Sequence, residues 1–160
     1  MTMPQADQPL EVQTFDFTKA VVIDAPPNVT FDAVIAELGP EGQMPDGKPF
    51  PFKLEPWPGG RWFRDLGNDT GHFWGHVQVI KPPKLIEICG PTFMSYPATS
   101  HLQYRLTAEG AGTHLRITHR AFGYMPRGFV QDSAEGWEHG LRRIGEIARR
   151  MKGERKGGGR

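Results

Sequence analysis

Histidines are the side chains of this sequence best suited to chemistry, since imidazole binds metal ions and transfers protons near neutral pH. There are six among 160 residues. His72 and His76 share one face of a predicted strand, but four residues at about 3.3 Å each place them about 13 Å apart, too far for one ion. His114 and His119 lie on opposite faces of another predicted strand. The sequence has one cysteine and no HExxH motif, so we expect neither a bound metal nor a cofactor.

His119 and Tyr104 are the candidate catalytic residues, because alternation along two predicted strands places both side chains on the inward face. Burial disfavours the charged imidazole, so we expect His119 to be neutral. Beside a cavity, the pair would orient the polar end of a ligand or move a proton. The alternative is a structural histidine whose ring bonds to a neighbouring hydroxyl or carbonyl. Nucleophilic catalysis is not indicated, because Cys89 has no base next to it in the sequence and no GxSxG motif occurs.

An aromatic wall for a flat apolar ligand is the second candidate site. The side chains that would form it are Trp57, Trp62, Trp74, Trp137, Phe93 and Phe122. The alternative is an ordinary hydrophobic core made of the same residues. The residues that we expect to contact a ligand are Trp62, Trp74, Phe93, Leu102, Tyr104, Ile117, His119, Trp137 and Leu141.

One amphipathic helix near the end of the sequence is expected to position these side chains. From Asp132 to Lys152, apolar residues recur at spacings of three and four, the period of one helix face. Asp132 and Glu135 have the spacing of a capping box, which predicts that the helix begins at Asp132. The chain before it is mostly predicted strand, so the apolar stripe of this helix is expected to pack on a sheet.

Three glycines, Gly136, Gly140 and Gly145, lie within this predicted helix, although each costs about 1 kcal/mol relative to alanine. Gly140 and Gly145 flank the apolar stripe. Either they let the helix backbone approach the sheet closely, or they leave a space between helix and sheet.

Alternating apolar residues and turn residues predict about six antiparallel strands before that helix, with one short helix after the first strand. The clearest pair is a hairpin over 100–109 and 113–123. Its predicted inward residues are Leu102, Tyr104, Leu106, Leu115, Ile117, His119 and Ala121. Only the last helix is long enough to cover the apolar face of such a sheet. The prediction is an α+β helix-grip fold, a curved antiparallel sheet of about six or seven strands wrapped around a long C-terminal helix.

The segment from Gly39 to Pro51, called the 39–51 loop below, has no periodicity and many glycine and proline residues. A loop this long inside a compact domain is often functional. The sequence is consistent with either a surface insertion or a lid over a site.

Composition limits the classes of partner. Nineteen basic and 18 acidic side chains give a net charge of +1, which provides no field for binding nucleic acid or an anionic membrane. No apolar run approaches the roughly 20 residues of a membrane span, and the N-terminus lacks a signal-peptide pattern. A single cysteine suits a reducing cytosol, so we expect a cytoplasmic monomer or homodimer. We expect a flexible arm over 1–11, one domain over 12–152 and a disordered basic tail over 153–160.

Five segments, read in order, resemble the activator of Hsp90 ATPase homologue 1-like family. They are APPNVTFDAV, PGGRW, GHVQVIKPPKLIEI, THLRITHRAF and EGWEHGLRRI, and the match runs from about Phe17 to Met151. The 39–51 loop departs from the family, in which a shorter stretch with a tryptophan is common. The resemblance implies a START-like, SRPBCC (Bet v 1-like) helix-grip fold. Members of that superfamily include lipid carriers, polyketide cyclases, plant hormone receptors and a co-chaperone domain, so function must be argued from the site.

Three functions are compatible with these observations. The first is a small-molecule binding protein that holds an apolar or amphipathic ligand between the sheet and the last helix. The second is a cyclase-like or hydrolase-like enzyme in which His119 and Tyr104 carry out proton chemistry in the same cavity. The third is a protein-interaction module, which predicts an exposed apolar patch on the strand face of His72, Trp74 and His76.

Overall fold

The computed structural model describes residues 9–93 and 95–157, which form seven strands and two helices. In chain order the elements are β1 (Glu11–Ile23), α1 (Pro27–Glu37), β2 (Lys53–Leu54), β3 (Arg61–Gly67), β4 (Thr70–Lys81), β5 (Leu85–Gly90), β6 (Ala98–Glu109), β7 (Gly112–Met125) and α2 (Arg127–Gly157).

All seven strands join one antiparallel sheet in the order β1-β7-β6-β5-β4-β3-β2. The hairpin of β6 and β7 has the predicted register faces, with Leu102 opposite His119 and Tyr104 opposite Ile117. All the inward residues predicted for this hairpin are buried. The α+β helix-grip architecture predicted from the sequence is therefore confirmed.

Helix α2 covers the apolar face of the sheet with the stripe that its periodicity predicted. Leu141, Ile144, Ile147 and Ala148 are buried in the main core cluster, together with the inward residues of β6 and β7. Helix α1 packs beside α2 and contributes Phe31 and other buried apolar side chains to the same cluster. Burial of these stripes is the main stabilising contribution to the packing of the two layers.

Strand β4 changes which of its faces points inward, whereas simple alternation predicted one uninterrupted face. Its pairing with both neighbouring strands contains register irregularities. The side chains that pack into the core are Trp74, Val77 and Ile80, at spacings of three. His76 was predicted on the same face as Trp74 but is exposed. The predicted apolar patch on the face of His72, Trp74 and His76 is therefore wrong, because bulges shift the phase of the strand.

Gly75 marks a close approach of β4 to β5. A Cβ atom at this position would lie 2.7 Å from the carbonyl oxygen of Cys89 and 2.9 Å from Cγ2 of Ile88. We expect Gly75→Ala to lower the free energy of unfolding by about 1–3 kcal/mol, the usual effect of overpacking. Urea unfolding measures the change, and Gly153→Ala in open space on α2 is the control, expected to stabilise by about 1 kcal/mol. Equal stability of Gly75→Ala and wild type would contradict the close approach.

Helix α2 is longer at both ends than the sequence pattern predicted. It begins at Arg127, directly after Pro126. Asp132 therefore lies within the helix, and the capping-box prediction is wrong. The helix continues to Gly157, so residues 153–157 of the expected tail are helical, and an Arg150–Glu154 ion pair of 3.4 Å supports this last part.

No helix among residues 9–93 and 95–157 is long and apolar enough to cross a membrane.

Candidate functional site

A cavity of about 330 Å³ lies between the sheet, the end of α1 and the first half of α2. The 39–51 loop, the connection before β6 and strands β3, β4 and β7 supply the rest of its wall. The lining residues are Glu37, Leu38, Gln43, Met44, Pro45, Phe50, Phe52, Trp62, Trp74, Thr92, Phe93, His119, Asp132, Ser133, Glu135, Gly136 and Trp137. The volume falls within the range of sites that bind small molecules.

The structure brings five of the nine predicted ligand-contacting residues to this cavity. They are Trp62, Trp74, Phe93, His119 and Trp137. The other four, which are Leu102, Tyr104, Ile117 and Leu141, lie in the core and do not line it. Two of the aromatic residues suggested for a wall, Trp57 and Phe122, are 55% and 61% exposed and lie outside the cavity. Contact of the five lining residues with a ligand stays a prediction.

An aromatic cluster forms one side of the cavity. The Phe52 ring lies 5.5 Å from the ring of Trp62 and 5.3 Å from that of Trp74, and the two indoles are 5.8 Å apart. The Trp62 indole N–H donates a hydrogen bond of 2.7 Å to the carbonyl oxygen of Leu38 at the end of α1. This bond fixes the orientation of the Trp62 ring and satisfies its polar atom within an apolar wall.

A hydrogen-bonded chain through His119 forms another part of the wall. The Trp137 indole N–H donates to Nδ1 of His119 at 2.8 Å, and Nε2 of His119 lies 2.9 Å from Oγ of Ser100. Because indole nitrogen only donates, Nδ1 must be the unprotonated nitrogen, and Nε2–H then donates to Ser100. The rings of Phe15 and Phe93 also pack against the imidazole, at 5.0 and 5.3 Å. These two hydrogen bonds link β6, β7 and α2.

This arrangement favours a neutral, orienting His119. Burial, with a smaller effect from the charge of His101, lowers the pKa of His119 to about 4. Both ring nitrogens already have partners, so neither is free to accept a proton from a ligand. Within the described residues no hydrogen bond joins His119 to Tyr104, and burial raises the pKa of the Tyr104 phenol well above its usual value. The geometry therefore gives the proposed proton transfer between these two residues little support.

Glu37 is a cavity residue that the sequence reasoning did not single out. It is the last residue of α1, and its carboxyl group faces α2, where a Cβ atom on Gly140 would lie 3.0 Å from Oε1. Burial raises the pKa of Glu37 to about 8, against an opposing effect of the Arg143 charge. In the sequence, Glu37 comes three residues after Val34 and therefore lies in the apolar stripe of α1. An acidic side chain is unusual in such a stripe, and this feature could have identified Glu37 as a candidate site residue.

Two glycines of α2, Gly136 and Gly140, make room for this site, and the neighbour that Gly140 admits comes from α1 and not from the sheet. Gly140 allows the carboxyl group of Glu37 to approach the helix backbone, whereas a Cβ atom on Gly136 would meet nothing within 4 Å. Gly136 lines the cavity. At Gly145 a Cβ atom would make ordinary contact with Ile23 at 3.5 Å.

The 39–51 loop lies along the cavity and supplies four of its lining residues. A bridge between Gln43 and Pro49 closes the loop on itself. Glu41 ties it to α2 through ion pairs of 3.2 Å to Arg143 and 2.7 Å to Arg150. The positions of these contacts favour a lid over a site, rather than a surface insertion.

Within the described ranges no group of three His, Cys, Asp or Glu side chains is placed to hold a metal ion.

Solved structures of low sequence identity have the same fold. An uncharacterised protein from Rhizobium leguminosarum has a TM-score of 0.68 and 19% identity, over 88% of this chain and 98% of its own. A protein from Rhizobium loti has a TM-score of 0.65 and 21% identity, over 86% of this chain and 99% of its own. Ara h 8.0201 has a TM-score of 0.62 and 12% identity, over 85% and 98%. The fold is the helix grip of Bet v 1-like proteins.

The family comparison agrees with the resemblance seen in the sequence. No protein with curated annotation matches the chain significantly. The family described as "Activator of Hsp90 ATPase homolog 1-like protein" matches residues 47–149, which is more than half of the chain. That range runs from the 39–51 loop into α2 and contains the aromatic cluster, His119 and Trp137. The chain therefore belongs to the activator of Hsp90 ATPase homologue 1-like family.

Proposed function

We propose that this protein binds a small apolar or amphipathic molecule in the cavity between the sheet, α1 and α2. The observation that carries the proposal is that the inward aromatic side chains line a space of about 330 Å³ and do not fill it. A tightly packed core leaves few voids larger than a water molecule. An aromatic-lined space of this size between the sheet and the helices is suited to a ligand.

Hydrogen bonds within the protein hold two of the aromatic side chains in the cavity wall. Hydrogen bonds fix the rings of Trp62 and Trp137, and the chain through His119 and Ser100 joins two strands to α2. A ligand therefore pays little conformational entropy for ordering these side chains, which favours affinity. The family and the Bet v 1-like fold are also consistent with ligand binding.

The cytoplasm is the compartment we infer for this activity. The chain has a single cysteine, Cys89, which is free in the structure. Disulfide bonds are a feature of proteins in oxidising compartments, whereas a lone thiol is compatible with a reducing compartment.

Gly136→Leu tests the proposal, because the new side chain would occupy the cavity. A Cβ atom at Gly136 meets no neighbour within 4 Å, and leucine is a better helix former than glycine. We expect the variant to fold at least as stably as wild type and to lose at least about 90% of its affinity for 1-naphthylmethanol, a neutral bicyclic probe. Isothermal titration calorimetry measures the affinity, and native mass spectrometry detects any molecule that co-purifies.

The matched control is Gly153→Leu, at another open position of α2 that does not line the cavity. It should bind the probe as wild type does. Unchanged binding by Gly136→Leu, or loss of binding in both variants, would show that the probe does not occupy this cavity.

An acid–base enzyme that uses the same cavity is the second candidate function. The observation that favours it is Glu37, a cavity carboxyl group whose pKa of about 8 lies near the value suited to proton transfer at neutral pH. The test uses a molecule that co-purifies with the wild type. If the wild type converts this molecule and Glu37→Gln does not, the protein is an enzyme and not only a carrier.

A further inference from the structure

We propose that the ligand of this cavity carries a protonated amine on an aromatic or otherwise apolar body, and that the amine pairs with Glu37. The inference rests on the proposed function and names the chemical class of the ligand.

The charged side chains that line the cavity are all acidic. The charged lining residues are Glu37, Asp132 and Glu135, and among the described residues that line the cavity none is lysine or arginine. Glu37 is partly buried, whereas Asp132 and Glu135 are exposed. An anionic ligand would meet only repulsion from these groups, and a cation would meet attraction.

Glu37 lacks a direct partner within the described part of the cavity wall, as does the indole N–H of Trp74. Among residues 9–93 and 95–157 no hydrogen bond or ion pair of 4.0 Å or less engages its carboxyl group. Arg143, the cation whose charge acts on Glu37, contacts Glu41 at 3.2 Å and Glu146 at 3.5 Å, and it does not line the cavity. A buried carboxyl group without a partner is unfavourable, and a bound ammonium group would supply that partner.

The position of Glu37 in α1 adds to this preference. It is the last residue of the helix, and the last turn contains no basic side chain. The C-terminal end of a helix carries partial negative charge, which stabilises a nearby cation. An ammonium group at Glu37 would therefore interact favourably with both the carboxyl group and the helix end.

The aromatic wall is suited to the rest of such a ligand. Six rings line the cavity, from Phe50, Phe52, Trp62, Trp74, Phe93 and Trp137. Flat apolar groups stack on such rings, and ring faces also attract cations. The combination of aromatic faces with an unpaired carboxyl group matches an amphipathic amine better than a neutral lipid.

Binding of the amine should release a proton from the protein. Because burial raises the pKa of Glu37 to about 8, its carboxyl group is mostly neutral at pH 7 and ionises when the ammonium group arrives. The titratable groups that face Glu37 or share its cavity are Arg143, Asp132 and Glu135 from α2, Tyr104 from β6 and His119 from β7. Since His119 and Tyr104 remain neutral at pH 7, Glu37 is the source of this proton.

The test compares three probes with the same bicyclic body, which are 1-naphthylmethylamine, 1-naphthylmethanol and 1-naphthoate. Calorimetry at pH 7 in phosphate and in Tris, which differ in ionisation enthalpy, gives both the affinity and the number of protons released. We expect the amine to bind wild type about tenfold more tightly than the alcohol, with release of up to about one proton, and the carboxylate to bind most weakly. In Glu37→Gln the amine should lose this advantage, whereas the affinity for the alcohol should change less than about twofold.

Glu109→Gln, which removes one acidic charge at the exposed end of β6, is the matched control and should keep the preference for the amine. Equal affinities for amine and alcohol in wild type, a preference that survives in Glu37→Gln, or tightest binding of naphthoate would overturn the inference and leave the proposed function standing. If none of the three probes binds folded wild type, the proposed function falls, and the inference falls with it.

Discussion

Glu37→Gln is expected to raise the free energy of unfolding at pH 8.5 by up to about 5 kcal/mol and to change it little at pH 4. Burial raises the pKa of Glu37 in the folded protein to about 8, from an ordinary value of 4.5. Between these values the folded state binds more protons than the unfolded state, so stability is lost as the pH rises. Below pH 4.5 the carboxyl group is neutral in both states and its ionisation has no effect. Glutamine resembles the neutral carboxyl group and cannot ionise.

Urea unfolding curves at intervals between pH 4 and pH 8.5 measure this effect as the difference between variant and wild type. The difference should grow steadily from about pH 4.5 to pH 8 and then level off. Glu109→Gln at the exposed end of β6 should show no such growth. A difference that is constant across the range would contradict the raised pKa of Glu37, because a carboxyl group with equal pKa values in the folded and unfolded states makes no pH-dependent contribution to stability. The carboxyl signal of Glu37 in an NMR pH titration measures that pKa directly.

The β6–β7 hairpin shows which features of the fold are predictable from sequence. Its alternation is strict because both strands run without a bulge between the predicted inward pairs, as between Leu102 and His119. The turn residues and the apolar face therefore specify the same register. The periodic stripe of α2 is equally clear, since its four buried residues recur at helical spacing. These local patterns were sufficient to predict the helix-grip fold.

Strand β4 shows where local patterns fail. Its inward side chains Trp74, Val77 and Ile80 are three residues apart, a spacing that is incompatible with a regular strand. The irregular pairing with β3 and β5 produces this spacing, and it depends on contacts with strands that are distant in the sequence. Alternation alone could not locate this irregular pairing, so His76 was predicted on the wrong face of β4.

The candidate site depends on similarly distant contacts. His119 was recognised because strand alternation points it inward, but its partners Ser100 and Trp137 come from β6 and α2. Glu37 was missed because its burial results from the packing of α1 against Gly140 of α2. A sequence pattern identifies which side chains point inward, whereas the packing of helices and loops decides which of them line an open space.

The second large effect is an acid-sensitive contribution to stability from His119, whose two ring nitrogens hydrogen-bond to Trp137 and Ser100. Burial lowers the pKa of His119 to about 4, below the ordinary value of 6.5. Between these values the unfolded state binds more protons than the folded state, so this contribution is fully present above pH 6.5 and falls as the pH drops toward 4. The loss is expected to reach about 3 kcal/mol. Protonation at Nδ1 would also break the hydrogen bond from Trp137.

His119→Ala separates this effect from the other titrations of the protein. At pH 7 we expect it to lower the free energy of unfolding by about 3–4 kcal/mol, because it removes a packed ring and leaves Trp137 and Ser100 without their hydrogen-bond partner. The difference in free energy of unfolding between wild type and His119→Ala should decrease by about 3 kcal/mol between pH 7 and pH 4, since wild type loses the contribution that the variant already lacks. His114→Ala, on the opposite face of β7, is the control and should show a small deficit that does not vary in this way. A His119→Ala deficit of equal size at both pH values would contradict a neutral, buried His119, because the variant and wild type would then respond to acid identically.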